Sequence, residues 1–307
     1  MADNGLKPVT KGGIMPADVD ELVVRVADVC TYKWDMLQNR PFAFFLSAFT
    51  GGAFVVFGSM LALSVSAGVP GNLAPGLANL LMGLVFMFSL VIIMFSGMTL
   101  VTADMAVGII GIFHRRIGWL AFFKGIIFGY FGNFVGSMFF MWIVSMGGGY
   151  SSSAWLLQAH VMAAKKTGMP AGEIFAMAVI CTWTLGTAAF LYIKANEDIA
   201  KIAMAAYGPL AFVAGMAEHC IANIGFLALP LFQQDLWIRV SGAASTGTPI
   251  LLHWGFGQFG WAHNQLYTVM GNLIGSVLFV GIVFQLVSHP DRVGKLYRNK
   301  ANKMMKL

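Results

Sequence analysis

"FGNFVGSMFF" at Phe131–Phe140 and "MGNLIGSVLF" at Met270–Phe279 are one pattern written twice. Both read Gly-Asn-x-Val/Ile-Gly-Ser and then continue apolar. The glycines predict close helix packing, as small residues allow within membranes. Asn133 and Asn272 are costly in lipid unless they are paired inside a bundle. One such motif is explained by packing alone. Its return at the matching place in the second half of the chain points to an internal repeat.

Composition sets the solvent of that repeat. The chain has 307 residues, of which 58% are hydrophobic and 10% charged, against about 25% charged in soluble domains. It reads as an all-α integral membrane protein. Six apolar runs are long enough for about 30 Å of hydrocarbon: about Phe42–Ala67, Leu77–Phe113, Leu120–Met146, Ile174–Ile193, Ile202–Phe232 and Leu266–Val287. The second and fifth runs are interrupted. Three spans per half is an odd number, so the halves lie in opposite orientation, the arrangement from which transport pathways are commonly built. Sixteen of the nineteen Lys and Arg residues fall on one side of this topology, with only Lys165, Lys166 and Arg239 on the other. That asymmetry predicts cytoplasmic N- and C-termini in a multi-pass cell-membrane protein. It also explains the net charge of +6 without nucleic acid as a partner.

The expected organisation is a cytoplasmic segment over 1–40, a channel domain over 41–287 with repeats at about 41–147 and 174–287, and a basic cytoplasmic tail over 288–307. Leu22, Val23, Val26, Val29 and Cys30 share one helical face, predicting an amphipathic helix that packs under the bundle. The basic tail is read as fixing topology, with anionic lipid as its other available partner. No signal peptide is expected. The three cysteines are far apart and suggest neither a disulfide framework nor a metal site.

The two interruptions are "FSGMTLVTADM" at Phe95–Met105 and "AGMAEHCIANI" at Ala214–Ile224. Irregular backbone at membrane depth needs protein or water to satisfy it. Each break presents a half-helix N-terminus with free N–H groups and about half a positive charge, so two such ends facing one pathway would attract an anion. His219 is the side chain able to offer a proton near neutral pH. Glu218 would repel an anion and is expected to fix local backbone. Thr102 is the polar residue of the first break, either it or Asp104 capping the next half-helix. Lys166 lies in an outer loop, either solvated or drawing anions into a vestibule. Phe86, Leu90, Leu100 and Phe212 are core residues or a dewetted constriction. HExxH and paired carboxylates are absent from the spans, so no enzyme is expected. His219 alone lies deep in a span, which gives a two-histidine haem site poor support. Without paired Asn-Pro-Ala boxes the chain does not read as an aquaporin. Neither metal nor cofactor is expected.

At Glu218-His219-x-x-Ala222-Asn223, Gly271-Asn272 and Gly132-Asn133, the chain resembles the formate/nitrite transporter family, over about Pro41 to Val287. The resemblance implies an aquaporin-like six-helix protomer, a homopentamer, and one pore per protomer. It implies that His219 is the central pore histidine, that Thr102 is its partner on the first broken loop, and that Asn272 helps orient it. It assigns Lys166 to the vestibule, Leu90, Leu100 and Phe86 to a cytoplasmic constriction, and Phe212 and Leu185 to an outer one. The chain departs from the family pattern at Val101, where an aromatic is usual, at Asp104, an added acid, and at Thr182, where an Asn is expected. The function expected is passage of a small monovalent anion, formate first, assisted by a proton from His219. Nitrite, hydrosulfide, acetate and lactate are alternatives within transport, and a membrane anchor or redox subunit is the alternative of another class.

Overall fold

The computed structural model describes residues 19–69, 75–147, 151–243 and 250–304. Its helices are α1 (Val19–Asn39), α2 (Pro41–Ser66), α3 (Pro75–Ser96), α4 (Val101–Phe113), α5 (Trp119–Met146), α6 (Ser153–Gly168), α7 (Ala171–Lys194), α8 (Asp198–Ala214), α9 (Cys220–Phe232), α10 (Gln234–Ala243), α11 (Trp261–Ser276), a π-helical stretch (Val277–Ile282), α12 (Val283–Val287) and α13 (Pro290–Met304). Five helices are long and apolar enough to cross a membrane: those covering Pro41–Ser66, Gly76–Ser96, Trp119–Met146, Ala171–Lys194 and Trp261–Val287. α4 and α9 are shorter and equally apolar.

Three elements differ from the sequence reading. Lys166 sits in a helix, α6, where a loop was expected. α10 is an additional helix. The last long helix is interrupted by one π-helical stretch, where Gly281 passes close to Ile109 and the Ala106 carbonyl of α4.

α1 packs as part of the core. Acids occupy its first turn, where the helix dipole favours them, and Leu22, Val23, Val26, Ala27 and Cys30 are fully buried. Trp34 Nε1 donates to Ala121 O at 2.8 Å, and Lys33 pairs with Asp104 of α4. Burial pushes the Cys30 thiol up to about 12, so this cysteine packs and stays protonated. Residues 1–18, the start of the predicted amphipathic segment, lie outside the described residues. The tail docks on α1: His289 N donates to Asp20 Oδ1 at 2.6 Å and Lys300 pairs with Asp28.

The two breaks are built alike. After α3, Gly97 takes φ +72° and Met98 N donates back to Ile93 O at 3.1 Å. After α8, Met216 takes φ +58° and Ala217 N donates back to Phe212 O at 2.8 Å. Both are helix stops that turn through the left-handed region. Each broken loop then meets one asparagine. Asn133 Nδ2 donates to Ala48 O at 2.6 Å and Thr99 O at 2.9 Å, and its Oδ1 accepts from Val101 N at 2.9 Å. Asn272 Nδ2 donates to Ala178 O at 2.8 Å and Glu218 O at 2.9 Å, and its Oδ1 accepts from Cys220 N at 2.8 Å. Each side chain thus satisfies buried backbone that helix geometry leaves open. The approach that makes this possible needs glycine: a Cβ on Gly136 would strike Phe49 O of α2, and one on Gly275 would strike Val179 O of α7.

Candidate functional site

The half-helices α4 and α9 begin at the two asparagine clamps, and their first turns meet. His219 is the N-cap of α9: Ala222 N donates to its Nδ1 at 3.0 Å. Because Nδ1 accepts, the neutral ring carries its proton on Nε2. Nε2 lies 2.8 Å from Thr102 Oγ1 on the first turn of α4, so His219 donates to Thr102. The Thr102 hydroxyl hydrogen is then free to turn toward another acceptor. Asn272 holds Glu218 O on one side of His219 and Cys220 N on the other, which fixes the backbone that carries the imidazole. Phe212 stacks on the ring at 5.4 Å between centroids.

Glu218 turns away from this pair into a polar cluster. Its Oε1 accepts from Lys166 Nζ at 2.7 Å, and its Oε2 from Asn223 Nδ2 at 2.6 Å and Asn264 Nδ2 at 3.2 Å. Glu218 is 1% exposed and Lys166 8%. Burial of a charged pair holds only when further hydrogen bonds support it, and the two asparagines supply them. Asn264 also donates to Lys166 O at 3.0 Å. Asn223 Oδ1 is buried without a hydrogen-bond partner.

A cavity of about 60 Å³ opens from the α6 side down to His219, lined among others by Lys165, Phe212, Met216, His219, Asn223 and Phe226. One water needs roughly 10–15 Å³ of such space, so a triatomic anion with some water fits.

Several expectations change with this geometry. The first N–H of each half-helix is not free: Asn133 and Asn272 take Val101 N and Cys220 N. Neither Thr102 nor Asp104 caps α4, whose N-cap is Leu100 without a side-chain bond. Thr102 reaches His219 and Asp104 reaches Lys33. Lys166 is not a solvated loop residue, because Glu218 holds it inside. Glu218 accepts through its carboxylate from Lys166, Asn223 and Asn264 and through its carbonyl from Asn272. Phe86, expected with Leu90 and Leu100, instead stacks on Phe226 at 6.2 Å and meets Phe212 edge-on at 5.7 Å. Leu90 and Leu185, expected in opposite constrictions, both abut Gly208 of α8. Leu100 and Val101 are buried at the start of α4. Thr182 Oγ1 donates to Asn272 O at 2.8 Å, so the smaller residue supports the clamp from α7.

The sequence reading missed Asn264, Gln265, Lys33 and Lys165. Gln265 Nε2 donates to Cys220 O at 3.1 Å and its Oε1 accepts from Tyr130 OH at 2.9 Å. The adjacent amides Asn264 and Gln265 stand at the opening of an apolar helix, where such residues need partners; that was the available signal. Lys33 and Lys165 carried none, since their significance depends on which helix lies opposite.

Comparison with known proteins agrees with this architecture. A family model described as "Formate/nitrite transporter" matches residues 20–286. The nitrite transporter NirC of Salmonella typhimurium is 28% identical over 245 residues, covering 80% of this chain and 82% of its own length. The formate channel FocA of Escherichia coli is 24% identical over 256 residues, covering 81% and 87%. Among solved structures, an FNT family ion channel superposes with TM-score 0.75 at 24% identity, covering 88% of this chain and 99% of its own. A pentameric formate channel with formate bound superposes at 0.67 and 20% identity, covering 80% and 96%. A membrane chain whose broken helices meet at a histidine that caps one of them, matched over residues 20–286, belongs to the formate/nitrite transporter family.

Proposed function

We propose that this protein passes a small monovalent anion, formate first, through a pore in each protomer of a homopentamer. α2, α3–α4, α5, α7, α8–α9 and α11–α12 form six spans in two inverted repeats, with both termini cytoplasmic. The observation that carries the reading is the Thr102–His219 contact at the meeting point of two half-helix N-termini. A bare anion pays a large desolvation cost in an apolar passage. Two helix ends, each worth about half a positive charge, and the Thr102 hydroxyl offset part of it. His219 donates its Nε2–H to Thr102 Oγ1, which leaves the Thr102 hydroxyl hydrogen for the anion.

Proton assistance has a defined cost in this geometry. A second proton on His219 must go to Nδ1, which breaks the cap from Ala222 N, and N-cap loss costs about 0.5–2 kcal/mol. The charged imidazolium is therefore a transient state during passage, while the neutral ring is the resting one. Lys166, Glu218 and Asn223 form the polar wall of the cavity beside it, and Phe212 and Phe226 the apolar one. Nitrite is the second reading, because its bent O–N–O skeleton and single charge match the O–C–O skeleton and charge of formate, and relatives bearing either name align over similar lengths.

The test is flux in liposomes across formate, nitrite, acetate, lactate and hydrosulfide. His219→Asn and His219→Phe lack Nε2–H and a titrating ring, and Phe also lacks the N-cap acceptor for Ala222 N. Both are expected to cut formate flux at least tenfold. Wild-type flux through well-folded His219→Asn protein, with the wild-type pH profile, would sink the reading.

A further inference from the structure

A second cavity lies away from the broken helices, on the periphery of the bundle between α7 and α8. It is an open groove of about 370 Å³, lined among others by Trp183, Thr184, Thr187, Leu191, Met204 and Tyr207. Small residues make its floor. A Cβ on Gly208 of α8 would lie 2.7 Å from the Ala188 Cβ of α7, so the helices meet closely there and the larger side chains stand apart as walls. Trp183 is held in one wall by its stack on Phe279, at 4.6 Å between centroids. Thr184 and Thr187 donate their hydroxyls back to Ile180 O and Trp183 O at 3.0 and 2.8 Å. Those polar groups are satisfied within α7, and the groove stays apolar.

Its dimensions decide what fits. From Trp183 to Leu191 the wall follows eight residues of α7, about 12 Å at the helical rise. That is close to the roughly 15 Å of hydrocarbon in one leaflet. Dividing the volume by this length leaves a cross-section of about 30 Å², less than half that of a helix about 10 Å across. An extended hydrocarbon chain fits such a section and a transmembrane helix does not. α7 is long and apolar enough to cross a membrane, and Trp183 and Tyr207 are 48% and 60% exposed. The groove therefore opens to whatever surrounds the protomer at that depth.

The end of the groove at the α7–α8 connection carries both signs of charge. Lys194 follows Leu191 by about one turn on α7, and Glu197, the N-cap of α8, precedes Met204 by about two. Among the described residues neither the Lys194 nor the Glu197 side chain has an ion pair or a hydrogen bond. The other two charges there satisfy each other, Lys201 pairing with Asp198 at 3.2 Å. This end lies on the surface that bears α1, because Arg25 donates to Lys194 O at 3.2 Å and to Asn196 Oδ1 at 2.9 Å. Arg25 itself is paired with Glu21.

A groove of one leaflet's depth thus ends at an unpaired cation and an unpaired anion, which complement a zwitterion bearing a hydrocarbon tail. We propose that the α7–α8 groove binds one acyl chain of a zwitterionic phospholipid whose headgroup carries a primary ammonium, with the phosphate at Lys194 and the ammonium at Glu197. A purely anionic headgroup would meet Glu197 with the wrong sign. A quaternary ammonium has no N–H to donate to the carboxylate. The proposal needs only that the chain spans a membrane, and it does not depend on which ion the pore carries.

Trp183 in the groove wall reports occupancy, because a brominated acyl chain quenches indole fluorescence on contact. The experiment places the full-length protein in vesicles of unbrominated phosphatidylcholine with a minor fraction of one brominated lipid: phosphatidylethanolamine, phosphatidylcholine or phosphatidylglycerol. The Trp183 signal is the difference between wild type and Trp183→Phe. Exposed ionic contacts are individually modest, so phosphatidylethanolamine is expected to quench Trp183 with about three- to fivefold preference over phosphatidylcholine. Lys194→Gln and Glu197→Gln, both at the surface, are each expected to reduce that preference, and the double variant to abolish it. Ala211→Phe, which fills the groove, is expected to weaken quenching by all three lipids. Equal quenching by the three headgroups overturns the proposal, since the groove would then be unselective lipid boundary. Preference for phosphatidylglycerol overturns it by making the site select negative charge. No quenching of Trp183 even in fully brominated phosphatidylcholine overturns it by showing that a neighbouring protomer covers the groove.

Discussion

The break between α3 and α4 and the break between α8 and α9 share a backbone and differ in chemistry. Both stop a helix in the left-handed region, return toward the middle of the bundle, and hand one N–H and one carbonyl to an asparagine from a facing long helix. Position by position the side chains then diverge. Leu100 caps α4 where His219 caps α9. Thr99 presents its carbonyl to Asn133 where Glu218 presents its own to Asn272. Asp104 on α4 takes Lys33 of α1, while Asn223 on α9 leans on a Glu218 that already holds Lys166. Repetition thus supplies two half-helices and their clamps. The single titratable ring belongs to one copy only, so the two breaks are chemically unequal.

The largest effect is expected where that inequality touches buried charge. Asp104 has Lys33 as its cation, in a nearly buried pair. Removing one member of such a pair typically costs about 3–5 kcal/mol, because the other is left uncompensated. Lys33→Met is therefore expected to cost about 3 kcal/mol or more. Adding Asp104→Asn is expected to recover most of it. Lys166→Met leaves Glu218 with donors from Asn223 and Asn264, so its cost is expected to be smaller, about 1–3 kcal/mol. Thermal or denaturant unfolding in detergent measures both. A cost for Lys166→Met equal to or above that for Lys33→Met would show that the asparagines do not stand in for the lysine.

A second comparison probes what the two halves share. Asn133 and Asn272 each make three buried hydrogen bonds to backbone. Leucine at either position leaves those groups unpaired, at about 1–3 kcal/mol for each one that finds no other partner. Asn133→Leu and Asn272→Leu are expected to destabilise about equally, by about 2–4 kcal/mol. Only Asn272→Leu is expected to abolish flux when folding is rescued by low temperature, since it frees the backbone around His219. Equal loss of flux in both would mean that the α4 break is as demanding as the α9 break.

The clamps were readable because "GN" followed by "GS" appears in two places, and a buried asparagine in a membrane helix demands a partner. The broken helices were readable from one copy: Glu218 and His219 are costly in an uninterrupted lipid-facing helix, and the repeat carried that break to the matching position in the first half. The wiring between elements was not. Lys165 and Lys166 are identical in sequence, and their one-residue offset on α6 turns one outward and one onto Glu218. Helical phase decides it, and a segment read as loop has no phase. The resemblance placed Phe86 in the cytoplasmic constriction, but its ring contacts depend on which face of α3 meets α8 and α9. Asp104 looked like a helix cap because its partner lies on α1, far away in the chain.

The smallest effect isolates the one position where the backbones match but the residue does not. Gly97 and Met216 both stand at positive φ, and a Cβ on Gly97 would meet no atom within 4 Å. Substitution at Gly97 therefore tests conformation alone. A left-handed non-glycine residue costs roughly 1–2 kcal/mol, and replacing glycine by alanine returns about 0.4–1 kcal/mol by restricting the unfolded chain. Gly97→Ala is thus expected to destabilise by about 0.5–1 kcal/mol. Met216→Gly reverses both terms and is expected to stabilise by a similar amount, read as a rise in unfolding midpoint. A Met216→Gly protein whose unfolding midpoint stays at or below the wild-type value would show that the methionine side chain, which accepts from Lys165 Nζ at 3.6 Å, offsets its own backbone strain.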